Sequence, residues 1–238
     1  GTVANPRPQV LVRCGAATGE VLVQPAPSGA VAEALDAADI HPRTDGLHEA
    51  LRGLTFAMRP SSFFQTNTTQ AEVMAELVLA HIPTDHEATV ADAYCGVGTF
   101  AALLATRAAH VLAMEESASA VRDARENLHT LGLTNVEVLQ GRAEALLPTI
   151  TTPLAAIVLD PPRMGCLPDM LRAILLRQIP RVVYVSCDPT TLARDLATLT
   201  ADGIYRLHTV QPLDMFPQTH HIECIAVLDF VGEETSTK

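Results

Sequence analysis

Lysine is almost missing: of 16 basic residues in 238, a single one is lysine, and it is the last residue. Against 27 acidic residues this leaves a net charge of −11. Phosphate contacts need clustered Lys and Arg, so extended nucleic-acid binding by this chain alone is excluded. A nucleic-acid role must rest on a few arginines or on a basic segment elsewhere. Long apolar runs are also lacking. Stretches such as Pro153 to Leu159 are too short to cross a bilayer, and the amino terminus has no basic, apolar, small-residue signal layout. These absences point to a soluble, cytoplasmic protein with no membrane partner. The five cysteines, at 14, 95, 166, 187 and 224, are odd in number and form no C-x-x-C pair, which excludes a disulfide framework and a zinc site. They are expected to stay reduced. No internal repeat or low-complexity segment occurs, and the opening Gly in place of Met points to a trimmed or processed start.

What is present is enough apolar sequence, 48%, to bury the core of one large domain, or of one domain with a small appendage. Val10–Arg13 and Val21–Gln24 read as a hairpin around Gly15 to Gly19, Val31–Ala38 as a short helix, and Leu47–Met58 as a β pair turning at Arg52-Gly53. From Thr69 the period becomes helical, and Thr69-x-x-Glu72 has the form of a capping box. Strand-like segments at 89–94, 110–114, 135–139, 155–159 and 181–186 then alternate with helical ones at 99–108, 118–131, 143–148, 167–178 and 190–200. Two last strands follow at 204–210 and 223–230. Such alternation predicts an α/β fold with a doubly wound, mostly parallel, Rossmann-like sheet over residues 59–238. Residues 1–58 form a small β-rich appendage.

Tyr94-Cys95-Gly96-Val97-Gly98-Thr99 lies between the first strand of that sheet and its helix, where glycines let a ligand approach the backbone. The next strand ends at Glu115, which can accept both ribose hydroxyls of an adenosine. A dinucleotide and S-adenosylmethionine both fit. The third glycine of a dinucleotide motif would fall at Ala101, which favours the methyl donor.

Cys187 ends an unbroken apolar strand and precedes Pro189-Thr190, a good helix start that can lower a thiol's pKa. The other four cysteines read as small buried hydrophobes. Asp160-Pro161-Pro162-Arg163 places a carboxylate and a guanidinium at the end of another apolar strand. Glu223 opens the last strand after His220-His221. Adjacent residues of a strand point to opposite faces, so the two histidines are not expected to bind metal.

Five blocks carry a family resemblance: Phe63-Phe64-Gln65-Thr66-Asn67, Tyr94-Cys95-Gly96-x-Gly98-x-Phe100, Asp160-Pro161-Pro162-Arg163-x-Gly165, Ser186-Cys187-Asp188-Pro189-x-Thr191-Leu192-Ala193-Arg194-Asp195-Leu196, and Asp214-Met215-Phe216-Pro217-x-Thr219-x-His221-x-Glu223. In this order, over roughly 60–230, the sequence resembles the RNA uracil-C5 methyltransferases, the TrmA-like family. The resemblance implies a class I methyltransferase fold, S-adenosylmethionine as donor, and 5-methyluridine formation in tRNA or rRNA. It implies donor binding by Gln65, Tyr94, Gly96, Glu115 and Asp160, with Thr99 at a donor-contact position where some members carry asparagine. Cys187 falls on the nucleophile and Glu223 on the general base, while Arg163, with Gln65, can steady charge on the uracil carbonyl.

The chain departs from the family in three ways. Asp188 replaces the Asn of many members, adding a negative charge beside the nucleophile that is expected to raise its pKa. The usual amino-terminal oligonucleotide-binding barrel is not visible, nor is the larger central domain, so residues 1–58 read as a remnant of the latter and RNA binding by this part alone is expected to be weak. Rival activities fit less well. RNA cytosine-C5 methylation calls for a second cysteine where Arg163 stands, and amino-group methylation leaves Cys187 unused. A non-catalytic RNA-binding protein leaves Cys187, Glu223 and Glu115 unexplained. An NAD-linked oxidoreductase meets the incomplete glycine motif.

Overall fold

A computed structural model describes residues 9–83 and 85–232. Two hairpins begin the chain, β1 (Leu11–Cys14) with β2 (Val21–Gln24) and β3 (Leu47–Leu51) with β4 (Leu54–Met58), separated by helix α1 (Ala30–Ala37). The second hairpin turns at Arg52-Gly53 as its sequence dictates, and its alternate residues Leu47, Leu51, Phe56 and Met58 are buried. These side chains share one continuous apolar core with Val90, Val111 and Val158 of the main sheet. α1 buries nothing, and Val31 stays 60% exposed.

Helix α2 (Thr68–Ala80) starts one residue earlier than its periodicity suggests, and the expected Thr69/Glu72 capping box does not form. Asn67 is the cap: its side chain accepts the Gln70 N–H at 3.2 Å and donates to the Met215 carbonyl at 3.1 Å. Glu72 instead accepts the backbone N–H of Arg52, at 3.1 Å. Asn is as good an N-cap as Thr or better, and here it gains a second partner.

The main sheet has seven strands in the order β10-β11-β9-β8-β5-β6-β7. They are β5 (Asp85–Asp92), β6 (Ala108–Glu115), β7 (Val136–Gln140), β8 (Ala156–Leu159), β9 (Arg181–Ser186), β10 (Tyr205–Leu213) and β11 (Glu223–Phe230). The first five are mutually parallel, and β11 is antiparallel to both its neighbours, β9 and β10. Helices α3 (Thr99–Leu104), α4 (Ala118–Thr130), α5 (Ala143–Leu146), α6 (Pro168–Arg177) and α7 (Pro189–Thr200) make the connections. Strands covered on both faces read as continuous apolar runs. Ala156, Ile157, Val158 and Leu159 are all fully buried, each larger side chain contributing about 1.5 to 3 kcal/mol. α3 stops four residues short of the expected 108. The Asn135 side chain donates to the carbonyls of Ala105 and Ala108, at 2.9 and 3.1 Å, and turns the chain into β6. No helix among the described residues is long and apolar enough to cross a membrane.

The strand order reverses at β5, with β6 and then β7 on one side and β8 and then β9 on the other. Ligands of open α/β sheets bind outside the carboxyl ends of the strands at such a switch point. The sequence motifs sit there: Asp92 ends β5, Glu115 ends β6, and Asp160 and Cys187 directly follow β8 and β9.

Candidate active site

The glycine loop is built by local hydrogen bonds. Cys95 N–H reaches the Met114 carbonyl at 2.9 Å, and Gly98 N–H reaches the Cys95 carbonyl at 2.8 Å. Gly98 takes a φ of +89°, and a Cβ there would lie 3.4 Å from Ala124 of α4, so glycine lets the loop rest against that helix. The Glu115 carboxylate accepts the N–H of Gly96 at 3.0 Å and of Ser117 at 2.8 Å, which fixes it at the end of its strand. Gln65, Tyr94, Gly96, Thr99 and Asp160 all line one cleft between the glycine loop and the 59–67 loop. Glu115 joins them through Gly96.

Helix α4 holds the two walls of this cleft together. Asn127, 3% exposed, accepts the Ala57 N–H at 2.8 Å and donates to the carbonyls of Ala57 and Val97 at 2.9 and 3.0 Å. One turn earlier the buried Asp123 accepts the Arg59 N–H at 3.0 Å, the Ser62 hydroxyl at 2.6 Å and the Arg59 guanidinium. The loop that presents Phe64 and Gln65 is thereby strapped to the helix beside the glycines.

Beneath the glycine loop lies Asp92, which sequence reasoning did not single out. It is fully buried, and among the described residues neither carboxylate oxygen accepts a hydrogen bond of good geometry, the Tyr94 and Ala101 N–H groups reaching it only weakly. Burial raises its pKa to about 7, with Glu115 adding repulsion and the Tyr94 and Ala101 N–H groups pulling the other way. The available signal was a charged residue inside the apolar strand Val90-Ala91-Asp92-Ala93. Asp160 opens onto the cleft yet is largely enclosed; burial and the charges of Glu223 and Asp92 push it to about 8. A weakly compensated carboxylate under a glycine loop fits a ligand that brings positive charge, as S-adenosylmethionine does with its sulfonium and ammonium groups.

Cys187, half-buried, follows Ser186, which pairs with Cys224, so Glu223 stands beside it at the strand ends; Arg163 and the cleft-lining Asp160 are within electrostatic reach of its thiol. Burial raises its thiol pKa, the Glu223 and Asp160 charges raise it further, and the Arg163 guanidinium beside it pulls it down. Glu223 is 5% exposed, and burial lifts its carboxyl pKa against the pull of Arg163. The first N–H groups of the helix that follows are taken by a neighbouring side chain. Asp188 caps α7, accepting the N–H groups of Thr190 and Thr191 at 2.8 and 3.2 Å, so the cation facing the thiol is Arg163. The Asp188 carboxylate, held ionised by those cap bonds, also attracts Arg163. Asp and Asn cap equally well, which accounts for the exchange.

The histidines also differ from expectation. His220 and His221 precede β11 in a loop, their ring centroids are 4.1 Å apart, and His221 faces Arg163. Among the described residues no group of three His, Cys, Asp or Glu side chains is arranged to hold a metal. Phe63 and Met164 stand exposed, at 65% and 61%, in the two loops that carry Gln65 and Arg163.

The strand order with one reversed strand is that of the class I S-adenosylmethionine-dependent methyltransferases, and this fold with its switch-point cleft places the chain among them. The Pyrococcus abyssi tRNA (uracil-54, C5)-methyltransferase, solved with S-adenosyl-L-homocysteine, superposes with a TM-score of 0.71 at 27% identity over 92% of this chain and 59% of that one. Trm5b from the same organism shares the fold alone, with a TM-score of 0.64 at 16% identity over 81% of this chain and 58% of its own. Within the class, the chain belongs to the tRNA (uracil-5-)-methyltransferase family, whose profile matches residues 42–230. It is 48% identical over 185 residues to an uncharacterized RNA methyltransferase of Gloeobacter violaceus and 42% identical over 185 residues to one of Oceanobacillus iheyensis. Those alignments cover 78% and 76% of this chain, which spans 40% of the length of either relative.

Proposed function

We propose that this chain is the catalytic part of an RNA uracil-C5 methyltransferase that forms 5-methyluridine in tRNA or rRNA in the cytoplasm. Residues 59–238 are the methyltransferase domain in this reading, and 1–58 the remnant of a central domain. The observation that carries it is the pairing of Cys224 with Ser186, which sets Glu223 beside Cys187, within electrostatic reach of Arg163 and of Asp160 in a cleft fit for a methyl donor. Gln65, Tyr94, Gly96, Thr99, Glu115 and Asp160 hold S-adenosylmethionine, which when bound supplies an electrophilic methyl group.

The chain's own residues supply the rest. Uracil C5 is a poor nucleophile until the Cys187 thiolate adds to C6, breaking the C5=C6 double bond and leaving carbanion character on C5. Arg163 favours the thiolate and steadies negative charge on the neighbouring uracil carbonyl. Once C5 has taken the methyl group, leaving the donor's sulfur neutral, Glu223, its pKa lifted by burial, is suited to accept the C5 proton. The C6–Sγ bond then breaks as the double bond re-forms, returning the thiolate. The uridine must leave its stack to enter such a cleft.

With a net charge of −11 the chain alone is expected to hold RNA weakly, so the test calls for the whole protein. Nucleoside mass spectrometry of RNA treated with enzyme and donor should yield 5-methyluridine, and none with Cys187→Ala. Formation of 5-methylcytidine or an N-methylated base in its place overturns the proposal.

A further inference from the structure

Asp195 lies in the middle of α7 and is fully buried, between Leu192 and Leu199 on the helix's apolar stripe. A carboxylate at such a position costs stability unless it is well used. Asp195 accepts the Tyr184 hydroxyl at 2.6 Å and the backbone N–H of Cys166 at 2.8 Å, and it pairs with Arg194 at 2.8 Å. Arg194 in turn donates to the Met164 carbonyl at 2.8 Å, and the Thr191 hydroxyl donates to the Arg163 carbonyl at 3.1 Å. Gly165, at φ +76°, leaves no room for a side chain: a Cβ would come within 2.6 Å of Asp195 Oδ2 and 2.7 Å of Arg194 Nη2. One face of α7 therefore grips residues 163, 164 and 166 of the loop by their backbone.

The same helix begins at Pro189, one cap residue after Cys187, so the nucleophile adjoins the rigid element that grips the loop of its cationic neighbour. We propose that Asp195, acting with Thr191 and Arg194, is a positioning residue that holds Arg163 against the Cys187 thiol. It touches neither substrate nor donor. The inference rests on the reading of Cys187 as the nucleophile, but its test needs no methyl transfer.

The test is the pH profile of Cys187 alkylation by iodoacetamide in the whole protein, followed on the Cys187 peptide by mass spectrometry because Cys14 is also exposed. The groups facing this thiol are Glu223, Asp160 and Arg163. Arg163→Gln is expected to raise the profile midpoint by about one pH unit, a roughly tenfold loss of thiolate at fixed pH. Asp195→Asn and Thr191→Val should shift it the same way, by at least about a third of that amount. The direction is diagnostic. Deleting the Asp195 charge would by simple Coulomb action lower the thiol's pKa, so a rise reports displacement of Arg163. Thr191→Val is nearly isosteric, leaves every charge in place and stands in if Asp195→Asn fails to fold. A purely structural role would lower Tm and leave the midpoint in place. Midpoints unchanged or lowered in the foldable variants overturn the inference, as does an Arg163→Gln midpoint identical to that of the parent. Failure of the unmutated protein to form 5-methyluridine, with the alkylation shifts as expected, would instead count against the proposed reaction alone.

Discussion

The Nη2 of Arg163 lies 2.5 Å from Nδ1 of His221, a contact that forms only if that imidazole nitrogen is unprotonated and accepts. Loss of hydration and the charges of Arg163 and His220 hold the His221 pKa below the usual histidine value. The neutral ring is therefore the form present near neutral pH, and acid converts it into an imidazolium that repels Arg163. Methylation rate should fall on the acid side as His221 titrates. His221→Gln, which keeps an acceptor without a proton switch, should flatten that limb, and an unchanged limb in this variant would remove His221 from the pH dependence.

Glu115 is predicted to set donor affinity. Replacing it by Ala removes two charge-assisted acceptors for the ribose and frees the Gly96 and Ser117 N–H groups, a loss of roughly 1.5 to 3 kcal/mol in binding. Calorimetry with S-adenosylmethionine and its demethylated product reads this directly. Equal affinities for the parent and Glu115→Ala would mean that the adenosine lies elsewhere.

Asp92 couples the donor site to pH. Its folded-state pKa, about 7, stands above the unfolded value, so its proton stabilises the fold fully below about pH 4, and that contribution is lost as pH rises through 7. Asp160, raised to about 8, acts in the same direction over a slightly wider window. Tm of the ligand-free chain should therefore drop between pH 5 and 8 by more than in Asp92→Asn, which should be the more stable protein at pH 8 by about 1 to 3 kcal/mol. The same variant should bind S-adenosylmethionine more weakly. A variant less stable at pH 8 would indicate that Asp92 is compensated.

Asn127 is predicted to be a structural keystone of the cleft. Asn127→Ala removes three buried hydrogen bonds and leaves the Ala57 and Val97 groups unpaired, costing about 3 kcal/mol in urea unfolding. A loss below about 1 kcal/mol would show that water replaces the amide.

Much of this was legible in the sequence, because apolar runs ending at Asp92, Glu115, Leu159 and Ser186 announce buried parallel strands whose ends carry the motifs. The hairpin at Arg52-Gly53 and the positions of α4, α6 and α7 followed from period and turn chemistry. Other features depend on contacts across the chain. Asn67 outcompetes Thr69 as cap because its amide also finds Met215, 148 residues away. Asp188 takes the first N–H groups of α7 as its cap. Asp195 was readable only as a polar residue in an apolar stripe, since its partners come from another strand and the 163–166 loop. Asp92 gave a similar signal, and how weakly it is partnered appears only once the strands are packed.

The Cys187 and Glu223 pair tests the account most directly, because covalent catalysis gives the two residues opposite phenotypes. In the whole protein, Cys187→Ala should abolish both methylation and any covalent link to RNA, since C5 is never activated. Glu223→Gln should still allow addition and methylation of C5 but stall before elimination. The decisive measurement is denaturing electrophoresis of Glu223→Gln incubated with labelled substrate RNA and S-adenosylmethionine. The account predicts a protein–RNA adduct that survives denaturation and disappears in the Cys187→Ala, Glu223→Gln double variant; normal turnover by Glu223→Gln with no adduct, or activity retained by Cys187→Ala, would contradict it.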